Sequence, residues 1–345
     1  MAILKVLFCF YPLFVHYNHG VALLSQLCRQ RGIETELYML DDVDKFAAFL
    51  TGKQYAAVCF SAVIERDYTN CVPFMRRARA RGELVLLGGV YPRRGVALPN
   101  CPAHLVCRGD GESLPDFLLQ GDDRLFQEQM IAPDLNALPL PDYELFKNIP
   151  FDRELPFMAE RHDKKVLPYY SSRGCRSACT FCEVRNQNGT YRLRRNVGTD
   201  LRCLSQRYQP DLFMIGDETL PYYDKRWRES WGNFHHPFVA YLRGDCPVEQ
   251  LAWLKERGLS GCAFGVESGD ETYRNDVLKK GLTDEELLRT VEQLNRLDIP
   301  YAPFYMTGLP GESMRQQAAT HKMREQLGGF PVTFQYENLK PSGRI

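Results

Sequence analysis

Three cysteines lie within eight residues in the stretch SSRGCRSACTFCEV, residues 171–184. Cys175, Cys179 and Cys182 have the spacing C-x3-C-x2-C. Thiolates hold iron–sulfur clusters because soft sulfur donors match iron and sulfide. Three thiolates would leave one iron of a four-iron cluster without a protein ligand, and that iron could bind a substrate or cofactor. The spacing therefore predicts a [4Fe–4S] cluster at this loop.

Two other interpretations of the cysteine triplet are a structural zinc site and a chance grouping. Structural zinc takes four ligands, but no fourth Cys or His follows at zinc-finger spacing. His162 and Cys203 are the nearest candidates, and both lie well outside the loop. The cluster is the interpretation that we favour. The other cysteines stand singly and are expected to be small buried residues.

The composition is that of an ordinary globular protein. The 345 residues are 44% hydrophobic and 25% charged, with 43 Lys and Arg against 43 Asp and Glu. This balance gives no overall field that would attract nucleic acid. The start, MAILKVLFCFYPLF, predicts a buried strand rather than a signal peptide. No apolar run approaches the ~18 residues of a membrane-spanning helix, so we predict a cytoplasmic protein.

Residues 1–120 alternate strand-like and helix-like patterns. ILKVLFCF, IETELYML, YAAVCFS, ELVLLGG and AHLVCRG are short apolar runs that are typical of buried strands. They predict an α/β domain with a doubly wound parallel sheet, which would bind a ligand at the carboxyl ends of its strands. The first turn lacks G-x-G-x-x-G, which disfavours a dinucleotide site. Residues 121–165 are rich in Pro and Asp and predict an interdomain linker.

The β/α alternation resumes over residues 166–345. VLPYYSSRG, DLFMIGDE, FVAYLRG, GCAFGVESG, IPYAPFYMTGLPG and VTFQYENL are the candidate strands. Six strands are too few for a closed eight-unit barrel, so they predict a partial (β/α)6 barrel with its chemistry at the carboxyl ends of the strands.

These motifs carry a resemblance to a known family. RGCRSACTFC resembles the C-x3-C-x-aromatic-C signature of the radical S-adenosylmethionine (SAM) enzymes. DLFMIGDETL, YLRGD, FGVESGDE and MTGLPGES resemble the motifs of the second to fifth barrel strands. LNALPLPDYELF, LLGGVYP and VCRGDGE extend the resemblance over nearly the whole chain. The arrangement is similar to the branch of the family with an N-terminal cobalamin-binding domain.

The resemblance implies radical chemistry. The iron without a protein ligand would chelate the amino and carboxylate groups of SAM, and one electron from the cluster would break the bond to C5′. The 5′-deoxyadenosyl radical would then abstract a hydrogen from the substrate. We expect a cobalamin-dependent methyltransferase that acts on an unactivated carbon of a small molecule or peptide, with an electron donor such as flavodoxin or ferredoxin. The alternatives are a radical SAM enzyme for cyclisation, rearrangement or oxidation, with or without cobalamin, and a non-catalytic cluster protein.

The resemblance also implies which residues contact the nucleoside of SAM. The backbone of Phe181 would lie near the adenine, and Gly308 and Gly311 would allow the chain to approach the same ring closely. Glu267 and Ser268, at the end of the fourth barrel strand, would bind the ribose hydroxyls.

The methionyl group of SAM would be bound by residues at the ends of the second and third strands. Asp217 would accept hydrogen bonds from its ammonium, and the neighbouring Glu218 is the competitor for that role. Arg243 would pair with its carboxylate as a two-pronged donor.

The first domain carries the cobalamin contacts that the resemblance implies. Ser61 would donate to the nucleotide tail or an amide. Gly88 and Gly89 would let a bulky planar ligand lie against the backbone, and Gly109 and Glu112 belong to the RGDGE segment with the same expected role. The alternative is a vestigial scaffold that no longer binds cobalamin.

The histidine motif of cobalamin domains is altered in this chain. In D-x-H-x-x-G aligned on His16, Phe14 stands at the Asp position and His19 at the Gly position. Without a carboxylate to orient the imidazole, we expect His16 to contact the corrin as a loop residue and not to ligate cobalt.

Relatives of this branch usually continue past the sixth strand. At NLKPSGRI we therefore expect either a naturally short chain or a pocket completed by a partner or a large substrate.

Overall fold

A computed structural model describes residues 3–11, 18–124, 134–147, 164–182, 184 and 191–336. The chain divides into two compact units, Met1–Pro150 and Phe151–Ile345. The described part of the predicted linker, residues 134–147, belongs to the first unit. There Asp142 is fully buried, and its carboxylate pairs with Arg29 at 2.8 Å. The predicted limits of 1–120 and 166–345 stay predictions.

The first unit contains the predicted five-stranded parallel sheet. Its strands lie in the order β2-β1-β3-β4-β5, which is a doubly wound topology with its switch point between β1 and β3. The strands are β1 (Lys5–Phe10), β2 (Glu34–Met39), β3 (Ala57–Ser61), β4 (Val85–Gly88) and β5 (Leu105–Val106). The helices are α1 (His19–Gln30), α2 (Val43–Leu50), α3 (Glu65–Ala80), α4 (Val90–Arg93) and α5 (Leu114–Gln120).

Local sequence explains where the first helices begin and what they cover. The side chain of Asn18 accepts a hydrogen bond from Val21 N, and Asp42 caps α2 in the same way. The central strands are buried along nearly their whole length, as expected for a parallel sheet covered by helices. Phe46 of α2 and Phe74 of α3 pack in the same core cluster as Phe60 of β3.

The second unit contains the predicted six-stranded parallel sheet of a partial barrel. The order is β13-β12-β11-β10-β9-β6, and each neighbouring pair is parallel. Its strands are β6 (Val166–Tyr169), β9 (Leu212–Ile215), β10 (Phe238–Leu242), β11 (Leu259–Glu267), β12 (Tyr301–Thr307) and β13 (Val332–Gln335). A short antiparallel pair, β7 (Ser172–Arg173) and β8 (Arg192–Leu193), brackets the cysteine loop.

The helices of this unit are α6 (Val197–Tyr208), α7 (Lys225–Trp231), α8 (Val248–Glu256), α9 (Asp284–Arg296) and α10 (Met314–Leu327), with a π-turn at Tyr273–Val277. Capping boxes begin α9 and α10. In the part of the chain that the structure describes, each helix is too short or too polar to cross a membrane.

A buried arginine ties together the loop after β11. Arg274 has no exposed surface, and its guanidinium donates to Ser268 O and Leu282 O, both at 2.9 Å, and to Asp284. Because these acceptors lie in the β11–α9 connection and at Asp284, the first residue of α9, the arginine stabilises that connection. The connection also contains Leu278 and Lys280, which reach the candidate site.

Candidate active site

The three cysteines of the triplet line one cavity at the carboxyl ends of the barrel strands. Cys179 is buried, while Cys175 and Cys182 are half-buried. Among the described residues, no three His, Cys, Asp or Glu side chains converge closely enough to hold a single metal ion. The three thiols nevertheless share one cavity lining. An iron–sulfur cluster, whose iron atoms are held individually by separate thiolates, fits this arrangement.

The loop that carries the cysteines is anchored to the β11–α9 connection. Thr180 N donates to Leu278 O at 3.0 Å, and its hydroxyl donates to Val277 O at 2.9 Å. Within the loop, Ser177 N donates to Cys175 Sγ at 3.4 Å. Hydrogen bonds of this kind to cluster sulfurs tune the reduction potential. The loop therefore has both the anchoring and the sulfur contact that a cluster site needs.

Glu267 also lines the cavity and has a strained backbone conformation. It ends β11, where the register with β12 shifts, and its φ is 69°. A left-handed backbone outside glycine costs about 1–3 kcal/mol and is concentrated at functional sites. Its carboxylate pairs with Lys280 Nζ at 2.6 Å. A Cβ at Gly265 would lie 1.8 Å from Glu267 Oε1, so the ion pair occupies space that only glycine leaves free.

Lys280 is the functional residue that sequence reasoning missed. Its ammonium lies in the cavity, 5.6 Å from the centroid of the Phe181 ring. Burial raises the pKa of the Cys179 thiol, and the positive charge of Lys280 acts in the opposite direction by favouring the thiolate. A lysine in a polar loop has no distinguishing local pattern, so no sequence signal could have selected it.

Arg243 follows β10 and also lines the cavity. Its guanidinium donates to Asp245 at 2.9 Å, to Ser177 Oγ at 3.3 Å and to Lys280 O at 2.7 Å. It therefore joins the strand end to the cysteine loop and to the β11–α9 connection. The predicted pairing with the methionyl carboxylate of SAM stays a prediction, and the position of the guanidinium at the cavity is compatible with it.

Asp217 and Glu218 have different surroundings. Asp217 is fully buried, and its carboxylate accepts hydrogen bonds from Ser171 N at 2.7 Å, Ser171 Oγ at 2.5 Å and Ser172 N at 3.0 Å. Burial raises its pKa to about 7. These contacts hold the segment that leads into the cysteine loop. Glu218, the predicted competitor for the SAM ammonium, is exposed and lines the cavity.

The predicted nucleoside contacts are distributed around the same strand ends. Phe181 lines the cavity and packs against Leu309 in a small apolar cluster. Gly308 and Gly311 have φ values of 74° and 73°, which glycine adopts without strain. Ser268 is fully buried beside Thr320, with 3.5 Å between the hydroxyl oxygens. It lies outside the cavity lining, and its ribose contact stays a prediction.

The predicted cobalamin contacts lie at the carboxyl edge of the first sheet. Ser61 and Gly88 end the neighbouring strands β3 and β4. Gly89 has a φ of 102°, and a Cβ there would lie 2.4 Å from Ala62 O. Gly109 O is 3.7 Å from Cys107 Sγ. These positions stay predictions as ligand contacts.

The remaining two first-unit predictions concern Glu112 and the histidine loop. Glu112 is half-buried in the turn before α5. His16 and Phe14 lie outside the described residues. His19, at the start of α1, has its Nδ1 atom 3.0 Å from the hydroxyl of Tyr143. The histidine at the altered Gly position is thus held by a tyrosine of the 134–147 segment.

The second unit matches a known protein family. The model of the Radical SAM superfamily matches residues 169–323, a range that contains the three cysteines, the four barrel strands β9 to β12 and the last residue of β6. The second unit contains a radical SAM domain. Domains of this superfamily use a [4Fe–4S] cluster and SAM, and the three thiols in one cavity lining fit the cluster.

Two curated relatives of this chain are methyltransferases. It is 25% identical over 185 residues to cytidylyl-2-hydroxyethylphosphonate methyltransferase of Streptomyces wedmorensis, covering 49% of this chain and 35% of that one. It is 22% identical over 303 residues to bacteriochlorophyllide d C-12(1)-methyltransferase of Chlorobaculum tepidum, covering 76% and 61%. The chain therefore spans less than two thirds of the length of either relative.

The fold has a solved counterpart. The structure of the radical SAM methyltransferase TsrM from Kitasatospora setae with cobalamin and a [4Fe–4S] cluster bound matches 97% of this chain and 72% of that chain, with a TM-score of 0.74 and 14% identity. A second TsrM structure, with tryptophan substrate and a SAM analogue, gives a TM-score of 0.73 over 96% and 72% of the two chains, at 15% identity. At this identity the match establishes the fold.

Proposed function

We propose that the protein is a cobalamin-dependent radical SAM methyltransferase that methylates an unactivated carbon of a small-molecule or peptide substrate. The observation that carries the proposal is the cavity in the barrel, where three cysteine thiols face two carboxylates and two cations. The methyltransferase activity of two relatives and the doubly wound first unit support the finer assignment.

In this proposal, different side chains of the cavity bind different groups of SAM. Cys175, Cys179 and Cys182 would hold a [4Fe–4S] cluster, which would supply the electron for the reductive cleavage of SAM. Glu218, rather than the fully buried Asp217, would accept hydrogen bonds from the methionyl ammonium, and Arg243 would pair with the carboxylate. Glu267 binds the ribose hydroxyls once its carboxylate turns from Lys280. The apolar rings of Tyr241 and Phe304 line the cavity and help to exclude water from the reacting centre.

Cobalamin would bind at the switch point of the first sheet. Ligands of doubly wound sheets bind at the carboxyl ends of the strands where the strand order reverses, and Ser61 ends a strand at that point. Gly88 and Gly89 carry no side chains of their own at the end of the neighbouring strand β4. Bound there, cobalamin would supply the methyl group. A reduced flavodoxin or ferredoxin is the proposed electron donor, and the proposed location is the cytoplasm.

The products formed from SAM test this function without knowledge of the substrate. The full chain, reconstituted anaerobically with iron, sulfide and hydroxocobalamin, is incubated with SAM and a strong reductant. We expect both 5′-deoxyadenosine and S-adenosylhomocysteine by mass spectrometry, because the second product forms when cobalamin is remethylated. Formation of 5′-deoxyadenosine alone would instead favour cyclisation, rearrangement or oxidation, and formation of neither would refute radical SAM chemistry.

A matched pair of variants links these products to the cysteine triplet. Replacing Cys175, Cys179 and Cys182 together by Ala should abolish iron binding and the formation of 5′-deoxyadenosine. Cys203→Ala removes an exposed cysteine from α6 and should leave both unchanged. If zinc rather than iron fills the wild-type site after anaerobic reconstitution, the cluster assignment is wrong.

A further inference from the structure

One wall of the cavity is built from aromatic side chains. Tyr241 of β10 and Phe304 of β12 line the cavity, and their ring centroids are 6.1 Å apart. The Phe304 ring also meets the edge of Phe334 on β13, at a centroid distance of 5.2 Å and an interplanar angle of 79°. We call these three residues the aromatic wall. Tyr241 and Phe304 are half-buried, and Phe334 is 37% exposed.

Strand β11 lies between the two strands that carry Tyr241 and Phe304. Its Ala263 pairs in register with Tyr241 and its Gly265 pairs with Phe304, and both small residues line the cavity. The ion pair of Glu267 and Lys280 fills the space over Gly265, where a Cβ would lie 1.8 Å from Glu267 Oε1. Beside Tyr241, by contrast, β11 presents only the methyl group of Ala263. A flat group can therefore lie against the rings at this position.

The aromatic wall is not explained by the contacts proposed for SAM. Glu218, Arg243 and Glu267 serve the polar groups of that molecule, Lys280 pairs with Glu267, and Phe181 faces the adenine. A hydrogen atom can be abstracted only from a group that lies in the same cavity. The substrate must therefore contact the part of the cavity surface that SAM leaves open, and this part is aromatic.

We propose that the aromatic wall binds a planar aromatic group of the substrate beside SAM. Ring pairs in offset or edge-to-face contact attract each other beyond the effect of buried area alone, and ligand pockets use aromatic walls with a few polar groups for orientation. The inference rests on the proposed function for the position of the reacting centre, and it adds the substrate class.

Matched pairs of small acids test the preference for flat rings. Naphthalene-2-carboxylate is compared with decahydronaphthalene-2-carboxylate, and 3-phenylpropionate with 3-cyclohexylpropionate, by equilibrium dialysis against the reconstituted full chain with saturating SAM. In each pair the two acids have the same carbon skeleton and charge. We expect the aromatic acid to bind more tightly in both pairs, by about two- to tenfold for one ring contact.

Variants then place this binding on the aromatic wall. Phe304→Leu should weaken binding of the aromatic acids by about two- to tenfold, whereas SAM binding stays unchanged. Tyr241→Phe keeps the ring and should keep the affinity, while Tyr241→Leu repeats the loss at a second position. Phe330→Leu changes an aromatic residue that is 45% exposed and lies outside the cavity lining, so it is the control. Tryptophan fluorescence confirms that each variant is folded.

Three results would overturn the inference. The saturated acids bind as tightly as the aromatic ones, or no aromatic acid binds saturably, or SAM displaces the aromatic acids because the wall serves its adenine. The proposed function is tested separately, since 5′-deoxyadenosine and S-adenosylhomocysteine are measured without any substrate. The two proposals can therefore fail independently.

Discussion

Replacing Lys280 by Met would remove the partner of the Glu267 carboxylate while keeping a side chain of similar length. The side chains of Lys280 and Glu267 are only 12% and 10% exposed. Without Lys280, the Glu267 carboxylate would therefore have no cationic partner and little contact with water. Removing one partner of a buried ion pair costs about 3–5 kcal/mol. Because some exposure remains, we expect the free energy of unfolding to fall by about 3 kcal/mol.

The three tryptophans of the chain provide the assay. Trp227, Trp231 and Trp253 all belong to the second unit and form one cluster, with ring centroids 5.2 to 6.1 Å apart. A urea titration followed by tryptophan fluorescence thus reports on the unit that contains the ion pair. This selectivity matters because a chain of two units need not unfold in a single step.

Two controls separate burial from charge. Arg296→Met breaks the pair of Arg296 with Glu292, whose side chains are 68% and 62% exposed, and should cost less than about 1 kcal/mol. The double change Lys280→Met with Glu267→Gln removes both charges and should recover much of the lost stability. If Lys280→Met costs no more than Arg296→Met, the buried ion pair does not stabilise the site and this reasoning is refuted.

Further measurements test the remaining site assignments. Burial raises the pKa of Asp217 from 3.8 to about 7. The contribution of this group to stability is therefore complete below pH ~4 and is lost as the pH rises toward 7. Asp217→Asn should reduce this decline of the unfolding free energy with pH, and an unchanged decline would contradict the assignment. Glu267→Ala should weaken SAM binding about ten- to hundredfold in calorimetry, because bonds to a charged acceptor contribute about 1.5–3 kcal/mol; an unchanged dissociation constant would place the ribose contact elsewhere. Gly265→Ala should displace the Glu267 carboxylate and weaken SAM binding while the visible absorbance of the cluster persists. Electron paramagnetic resonance of the cob(II)alamin form should show no nitrogen superhyperfine splitting, and a three-line splitting lost in His16→Ala would identify a histidine ligand.

Much of the architecture could be predicted from the sequence. Buried parallel strands are short apolar runs, and the helices between them have their own periodicity and caps, so both sheets and their strand numbers follow from local patterns. The cysteine triplet is also local, because a cluster loop takes its three thiolates from within eight residues. The family resemblance follows from the same short motifs.

The cavity itself depends on tertiary structure. Asp217 and Glu218 are neighbours in sequence, yet the fold buries one carboxylate under Ser171 and exposes the other to the cavity. Lys280 reaches Glu267 only because buried Arg274 shapes the β11–α9 connection. The aromatic wall consists of residues from three strands that are far apart in the chain, so their ring contacts cannot be predicted from the sequence. Burial, side-chain direction and contacts between distant segments arise from the packing of the whole barrel, and no local pattern of residues contains them.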